Sequence, residues 1–262
     1  MKRMAAVVVA ALFTVSATPG WAALQTQEIE YKQGDTILKG HLAYDDATED
    51  RRPGVLVVHE WWGLNNYAKV RANQLVELGY VALALDMYGN GKNTTDPKEA
   101  AELSGAAMKN PEVFKARFLA ALDVLRGNPR VDRARVAAIG YCFGGTTVLE
   151  MARRGLDLAG VVIFHGGLAP VSPNQPTAIK ARILACQGAD DPLVPQEIMD
   201  AFQDEMRSAK ADWQLNIYGG AKHAFTNPDA DKMRMDALGY NEPADRRSRL
   251  AMNAFLAETF GP

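Results

Sequence analysis

VAAIGYCFGG, Val136 to Gly145, places a cysteine between glycines at the end of an apolar run. The run leads into Gly140-Tyr141-Cys142-Phe143-Gly144, and a helical pattern, CFGGTTVLEMARRG, follows it. A strand that turns sharply into a helix leaves no room for side chains beside the corner residue, so glycine is needed on both flanks. In that context the pattern G-x-nucleophile-x-G presents the corner side chain at the top of a sheet. Cys142 fills the corner, and the N-terminus of the following helix favours its thiolate. A structural cysteine in a glycine-rich turn is the competing reading, and partners elsewhere in the chain must decide between the two.

Working outward, strands and helices alternate. GVLVVHE, GYVALALDMYG, RVAAIGY, AGVVIFHGG and ARILACQGADD are continuous apolar runs, as expected of strands buried on both faces. Between them, Ala68, Ala72, Leu75 and Val76 recur at helical spacing, as do Phe114, Phe118, Ala121, Leu122 and Leu125. Asp96 before Pro97 predicts a capped helix start. The early segment LQTQEIEYKQGDTILKGHLAYDD reads as two strands around the turn QGD. The expectation is an α/β fold: a doubly wound, largely parallel sheet with helices on both faces.

A nucleophile on such a corner draws its acid and then its base from later loops. Of the four histidines, His41 lies in the early hairpin, and His59 and His165 end strands ahead of any acid-bearing loop. That leaves His223, in GGAKHAF, as the base. The acid belongs to GADDPLVP, where Asp191 is preferred because Pro192 fixes the backbone after it. Asp190 reads as a turn residue making local hydrogen bonds. The carboxylate would orient the imidazole and stabilise its charged form. The oxyanion needs two backbone N–H donors: that of Phe143, directly after the cysteine, and one from HEWWGLN, assigned to Trp61. No pair of histidines has metal-ligand spacing, so neither metal nor cofactor is expected.

The N-terminus reads as a signal peptide spanning residues 1–22. MKR is basic, an apolar run of about twelve residues follows, and Gly20 and Ala22 offer small side chains for cleavage. That run is shorter than the roughly twenty residues of a membrane span. The mature chain would be exported, periplasmic or secreted, without a membrane segment. Residues 23–262 are read as a single domain, since 48% of the sequence is apolar and neither repeat nor linker interrupts it. The formal charge of −2 becomes −4 after cleavage, with 27 basic against 31 acidic residues. That balance argues against a nucleic-acid partner. Cys142 and Cys186 are expected to stay unpaired, because a fold of this size needs no disulfide.

GYCFGG, GADDPLVP, HAF and the HEWWGLN loop together resemble the dienelactone hydrolase family of α/β hydrolases, from about Leu24 to the C-terminus. The cysteine at the corner and the glutamate in the early loop are the specific marks. The resemblance implies a Cys142–His223–Asp191 triad and a thiol-activating role for Glu60. It also implies a small-molecule ester or lactone substrate cleaved through a cysteine acyl-enzyme. Family members that cleave dienelactone hold its carboxylate with two arginines, whose places fall here on Asn90 and Asn227. With Tyr88, these are the expected substrate-binding residues, and neutral esters or lactones are expected in preference to dienelactone itself. A thioesterase or peptidase on the same residues, or a non-catalytic small-molecule-binding protein, are the alternatives.

Overall fold

The computed structural model describes residues 24–47, 49–171 and 179–261. The proposed signal peptide lies outside the described residues. In chain order the elements are β1 (Leu24–Gln33), β2 (Thr36–Asp45), β3 (Arg52–Val58), α1 (Asn66–Val76), β4 (Val81–Leu85), α2 (Pro97–Lys109), α3 (Pro111–Gly127), β5 (Val131–Tyr141), α4 (Phe143–Arg153), β6 (Gly160–Phe164), β7 (Arg182–Gly188), α5 (Gln196–Ala209), β8 (Trp213–Tyr218) and α6 (Glu242–Phe260). The strands form one eight-stranded sheet in the order β1-β2-β4-β3-β5-β6-β7-β8. The hairpin β1–β2 is antiparallel and joins β4 antiparallel; every other pairing is parallel.

Successive residues of a strand face opposite sides of the sheet, and the central strands bury both. In β3, Leu56 and Val58 join a core with Phe118 of α3, Leu149 of α4 and Phe202 of α5. Val55 and Val57 join the opposite core with Ala72 and Leu75 of α1 and Leu256 of α6. Each such large side chain taken out of water contributes about 1.5–3 kcal/mol. Two-sided burial explains why these strands read as unbroken apolar runs rather than alternating ones.

The helix starts follow the local chemistry expected of them. Asp96 accepts the Lys98 N–H at 2.9 Å with Pro97 in the first turn of α2, and Asn110 accepts the Val113 N–H at 3.2 Å at the start of α3. One strand departs from the sequence expectation. β5 begins at Val131 rather than Arg135, and its register against β3 shifts between Pro53 and Gly54. The polar segment Asp132–Arg135, closed by a 2.8 Å ion pair, masks the early start of the strand.

The crossing connections bring the loops after β3, β4, β5, β6, β7 and β8 to one end of the sheet, where α/β folds bind their ligands. The loop after β4 is fixed by Asp86, which is fully buried and accepts the N–H groups of Tyr88, Gly89 and Gly91 at 2.8, 2.8 and 2.7 Å. Among the described residues, no helix is long and apolar enough to cross a membrane.

Candidate active site

Cys142 joins β5 to α4 at φ 52° and ψ −115°. A non-glycine residue in this region stores roughly 1–3 kcal/mol of strain, and such strain survives only where the surroundings enforce it. Here the glycines enforce it by letting backbones meet. A Cβ on Gly140 would lie 2.0 Å from the Gly144 carbonyl oxygen, and one on Gly144 would lie 2.2 Å from that of Val58. The Cys142 N–H is tied to the Phe164 carbonyl at 3.0 Å. Cys142 is half-buried and Cys186 fully buried; both are free thiols.

Two later loops complete the group. His223 Nδ1 meets Asp191 Oδ2 at 2.8 Å, and the other Asp191 oxygen accepts the Leu193 N–H at 2.8 Å. Asp191 is buried, whereas Asp190 is exposed and bonds through its N–H to the Ala221 carbonyl. Of the two adjacent acids, Asp191 is the one that the fold brings to the His223 ring. His223 Nε2 is buried and is left to the Cys142 sulfur, with no other hydrogen-bond partner among the described residues. Burial opposes a charge on the His223 ring, but the Cys142 sulfur and Asp191 outweigh it and push the ring up to about 10.

The loop after β3 lies against the corner, because Gly144 presses on the carbonyls of Val58 and His59. His59 Nε2 accepts the Met87 N–H at 3.2 Å, which leaves Nδ1 to donate to the Glu60 carbonyl at 2.5 Å. Tyr88 donates its hydroxyl to the Trp61 carbonyl at 2.8 Å. The peptide that carries the Trp61 N–H is held through its Glu60 carbonyl, and the next peptide through the Trp61 carbonyl. Among the described residues, neither the Trp61 nor the Phe143 N–H donates to a backbone carbonyl. The Glu60 side chain is buried, and Asn227 Nδ2 donates to its Oε2 at 2.7 Å. Burial drives the Glu60 carboxyl upward; the Asn227 bond and the charges of His223 and Arg71 pull it back, leaving it at about 7.

The residues expected to touch substrate are placed differently from one another. Tyr88 is buried with its hydroxyl committed to Trp61, and Asn227 is buried with its amide committed to Glu60. Asn90 is exposed at φ 56° in the turn after β4, its N–H bonded to the Ile37 carbonyl of β2 at 2.7 Å. No hydrogen bond among the described residues joins Asn90 to the Cys142 group.

Several polar residues behind the site were not anticipated. Thr226 Oγ1 bonds to the Tyr67 hydroxyl at 2.6 Å and to His165 Nε2 at 2.7 Å. Arg71 donates to the Thr226 carbonyl and, at 2.7 Å, to Asp245, and its guanidinium lies 5.1 Å from the Tyr67 ring centroid. His165 stands edge-on to His223 with ring centroids 5.2 Å apart. Burial, then the charges of His223 and Arg71, push His165 well below the usual histidine range. Arg71 had left one trace in the sequence: an arginine on the otherwise apolar face of Ala68, Ala72 and Leu75. Among the described residues, no group of three or more His, Cys, Asp or Glu side chains could hold a metal ion.

Known proteins share this architecture. A family model described as the dienelactone hydrolase family matches residues 38–260. The crystal structure of a dienelactone hydrolase-like promiscuous phosphotriesterase from metagenomic libraries is 41% identical, with a TM-score of 0.88 over 91% of this chain and 100% of its own. A probable 2-oxo-3-(5-oxofuran-2-ylidene)propanoate lactonase of Bradyrhizobium sp is 30% identical over 231 residues, 81% of this chain and 90% of its own. A dienelactone hydrolase from Anabaena variabilis shares the fold at 22% identity, with a TM-score of 0.60 over 87% of this chain and 97% of its own. With the family match running from β2 to the end of α6, the chain belongs to the dienelactone hydrolase family and is a hydrolase on the α/β-hydrolase fold.

Proposed function

We propose that this protein hydrolyses small, uncharged carboxylic esters or lactones through a covalent intermediate on Cys142. The observation that carries the reading is the His223 ring, anchored to buried Asp191 at 2.8 Å and left with its other nitrogen for the sulfur of a strained cysteine. The Cys142 thiolate attacks the carbonyl carbon, and the oxyanion is received by the N–H groups of Trp61 and Phe143. The carbon–oxygen bond to the alcohol breaks, and the alcohol leaves with the proton carried by His223. A water then gives a proton to His223 and adds to the thioester, which releases the acid and returns the thiolate. In a lactone the departing alcohol stays tethered to the acid. Glu60 governs the charge beside the resting thiol.

Among the described residues, the Asn227 and Arg71 side chains near Glu60 present no free guanidinium to a substrate, which supports a neutral one. The amide at the Asn227 position is occupied by Glu60, and Arg71 is held by Thr226 and Asp245. Neither supplies the planar fork that binds a carboxylate through two charge-assisted bonds. Lys92 is exposed on the loop after β4. A second acceptor class, neutral phosphotriesters, is favoured by the 41% identical relative described as a promiscuous phosphotriesterase.

The test is a panel of small esters, lactones and phosphotriesters with wild type and Cys142→Ala. Wild type turns over the neutral compounds and the variant none; equal rates in the two would remove the cysteine mechanism. Labelling of Cys142 by one equivalent of iodoacetamide, without turnover of any ester, would favour a binding protein on the hydrolase fold. We further propose export after cleavage near Ala22, read by sequencing the N-terminus of the mature protein.

A further inference from the structure

Both polar atoms of the Asn227 side chain are engaged within the protein. Its Nδ2 donates to Glu60 Oε2 at 2.7 Å, and its Oδ1 accepts the Asp229 N–H at 3.0 Å. Both Asn227 and Glu60 are 2% exposed. A buried carboxylate is costly unless charge or hydrogen bonds compensate it. Around Glu60 that compensation is thin. Arg71 on α1 acts only by its charge, because its guanidinium is tied to Thr226, Asp245 and Gln74. His223, in the loop after β8, likewise acts by its charge. The hydroxyls of Tyr67 on α1 and Tyr141 on β5 also lie within its field, and His59 binds its main-chain carbonyl rather than its carboxylate. The Asn227 amide is the direct side-chain hydrogen bond to the carboxylate.

We propose that Asn227 is a positioning residue: it holds the Glu60 carboxylate with one neutral donor and so decides whether Glu60 is charged when substrate reaches Cys142. This rests on the reading above in which Cys142 is the nucleophile and Glu60 governs its thiol. The choice of amide has a physical consequence. A cation at this position would keep Glu60 ionised at all working pH values, and an apolar residue would leave it unpaired and neutral. A neutral donor stabilises the charged form only in part. The carboxyl is then left near 7, where small changes in its surroundings alter its charge. Asn227 also ties this state to the loop that follows β8, because the same amide closes the turn to Asp229.

The test reads Glu60 through Cys142 without needing turnover. The rate of Cys142 alkylation by iodoacetamide, followed against pH, carries a step whose midpoint is the titration of Glu60, and the step vanishes in Glu60→Gln. Asn227→Asp keeps the shape and the acceptor for the Asp229 N–H but replaces the donor with an oxygen. Two adjacent carboxyls then share one proton, and the midpoint rises by about one pH unit or more. Asn227→Leu, a second variant of similar size, moves it in the same direction. The double variant Glu60→Gln/Asn227→Leu gives the profile of Glu60→Gln alone, because Asn227 acts only through the carboxylate. The infrared band of the protonated Glu60 carboxyl follows the same midpoints. A midpoint unmoved in Asn227→Asp and Asn227→Leu overturns the proposal, as does an Asn227→Leu effect that persists in the Glu60→Gln background. A protein that shows the shift but turns over no ester keeps this inference and loses the proposed function. One that hydrolyses esters with an unmoved midpoint loses the inference alone.

Discussion

His165 and His223 stand 5.2 Å apart at one end of the sheet, and both are at least 95% buried. Burial pushes both rings toward the neutral form. Their outcomes are opposite: His223 is pushed up to about 10, and His165 falls well below the usual range. The difference lies in their partners. His223 has a carboxylate on Nδ1 and the cysteine sulfur beside Nε2; His165 has a neutral hydroxyl on Nε2 and nothing on Nδ1 among the described residues. The charge that the first ring carries also pushes against the second. Two buried rings side by side are thus given different chemistry by the cysteine sulfur and the carboxylate that only one of them meets.

The comparison is broken most directly by removing each ring. His223→Ala is expected to lower kcat by roughly 10³-fold or more on whichever ester the wild type accepts. His165→Gln is expected to lower it less than about tenfold while costing about 1–2 kcal/mol of stability through the lost buried hydrogen bond. Steady-state rates and urea unfolding of the two variants check this pair. A larger kinetic loss in the His165 variant would exchange the roles of the two rings.

The acid can be challenged next. Asp191→Asn leaves the shape of the pair intact but lets His223 settle in the wrong tautomer, and most of the loss seen for His223→Ala should reappear. Asp190→Asn should change kcat by less than about threefold, because that side chain is exposed. Kinetics of the two asparagine variants side by side decide it, and a damaging Asp190 change with a mild Asp191 change would reverse the assignment.

What the sequence made legible follows from how local each constraint is. The corner at Cys142 was readable because its glycines, its apolar lead-in and its helix are contiguous in the chain. His223 was readable because the order of acid and base along the chain left one candidate. The choice of Asp191 rested on a neighbouring proline, again a local feature. The network of Tyr67, Arg71, His165 and Thr226 was not readable, since residues from α1, the loop after β6 and the loop after β8 meet only when the sheet is assembled. The fate of Asn227 is the same kind of failure. Its place after the histidine was visible in the sequence, but its partner Glu60 lies 167 positions away. The early start of β5 was hidden for a different reason: charged residues near its first paired position break the apolar run by which buried strands are recognised.

The smallest expected effect concerns pH, and it asks how much of the contrast between the histidines belongs to the sulfur. In an unfolded chain both rings titrate near about 6.5. The folded state holds the His223 proton up to about 10. Its contribution to stability is therefore full below about 6.5 and is lost as pH rises through about 10. His165 is depressed on folding, so its contribution is present above about 6.5 and is lost as pH falls toward its folded value. Glu60, raised to about 7, adds a loss as pH rises through that value, and it is common to the variants compared. Urea unfolding across pH, taken as differences from wild type, separates these limbs. Cys142→Ala removes the sulfur charge, the largest influence favouring the His223 proton. Its alkaline limb should move toward neutral pH, with the acid limb changed only as far as His165 feels less charge on its neighbour. His165→Gln should flatten the acid limb and leave the alkaline one in place. An alkaline limb unmoved in Cys142→Ala would mean that Asp191 alone holds the proton, and that the His223 ring is charged whether or not a thiolate stands beside it.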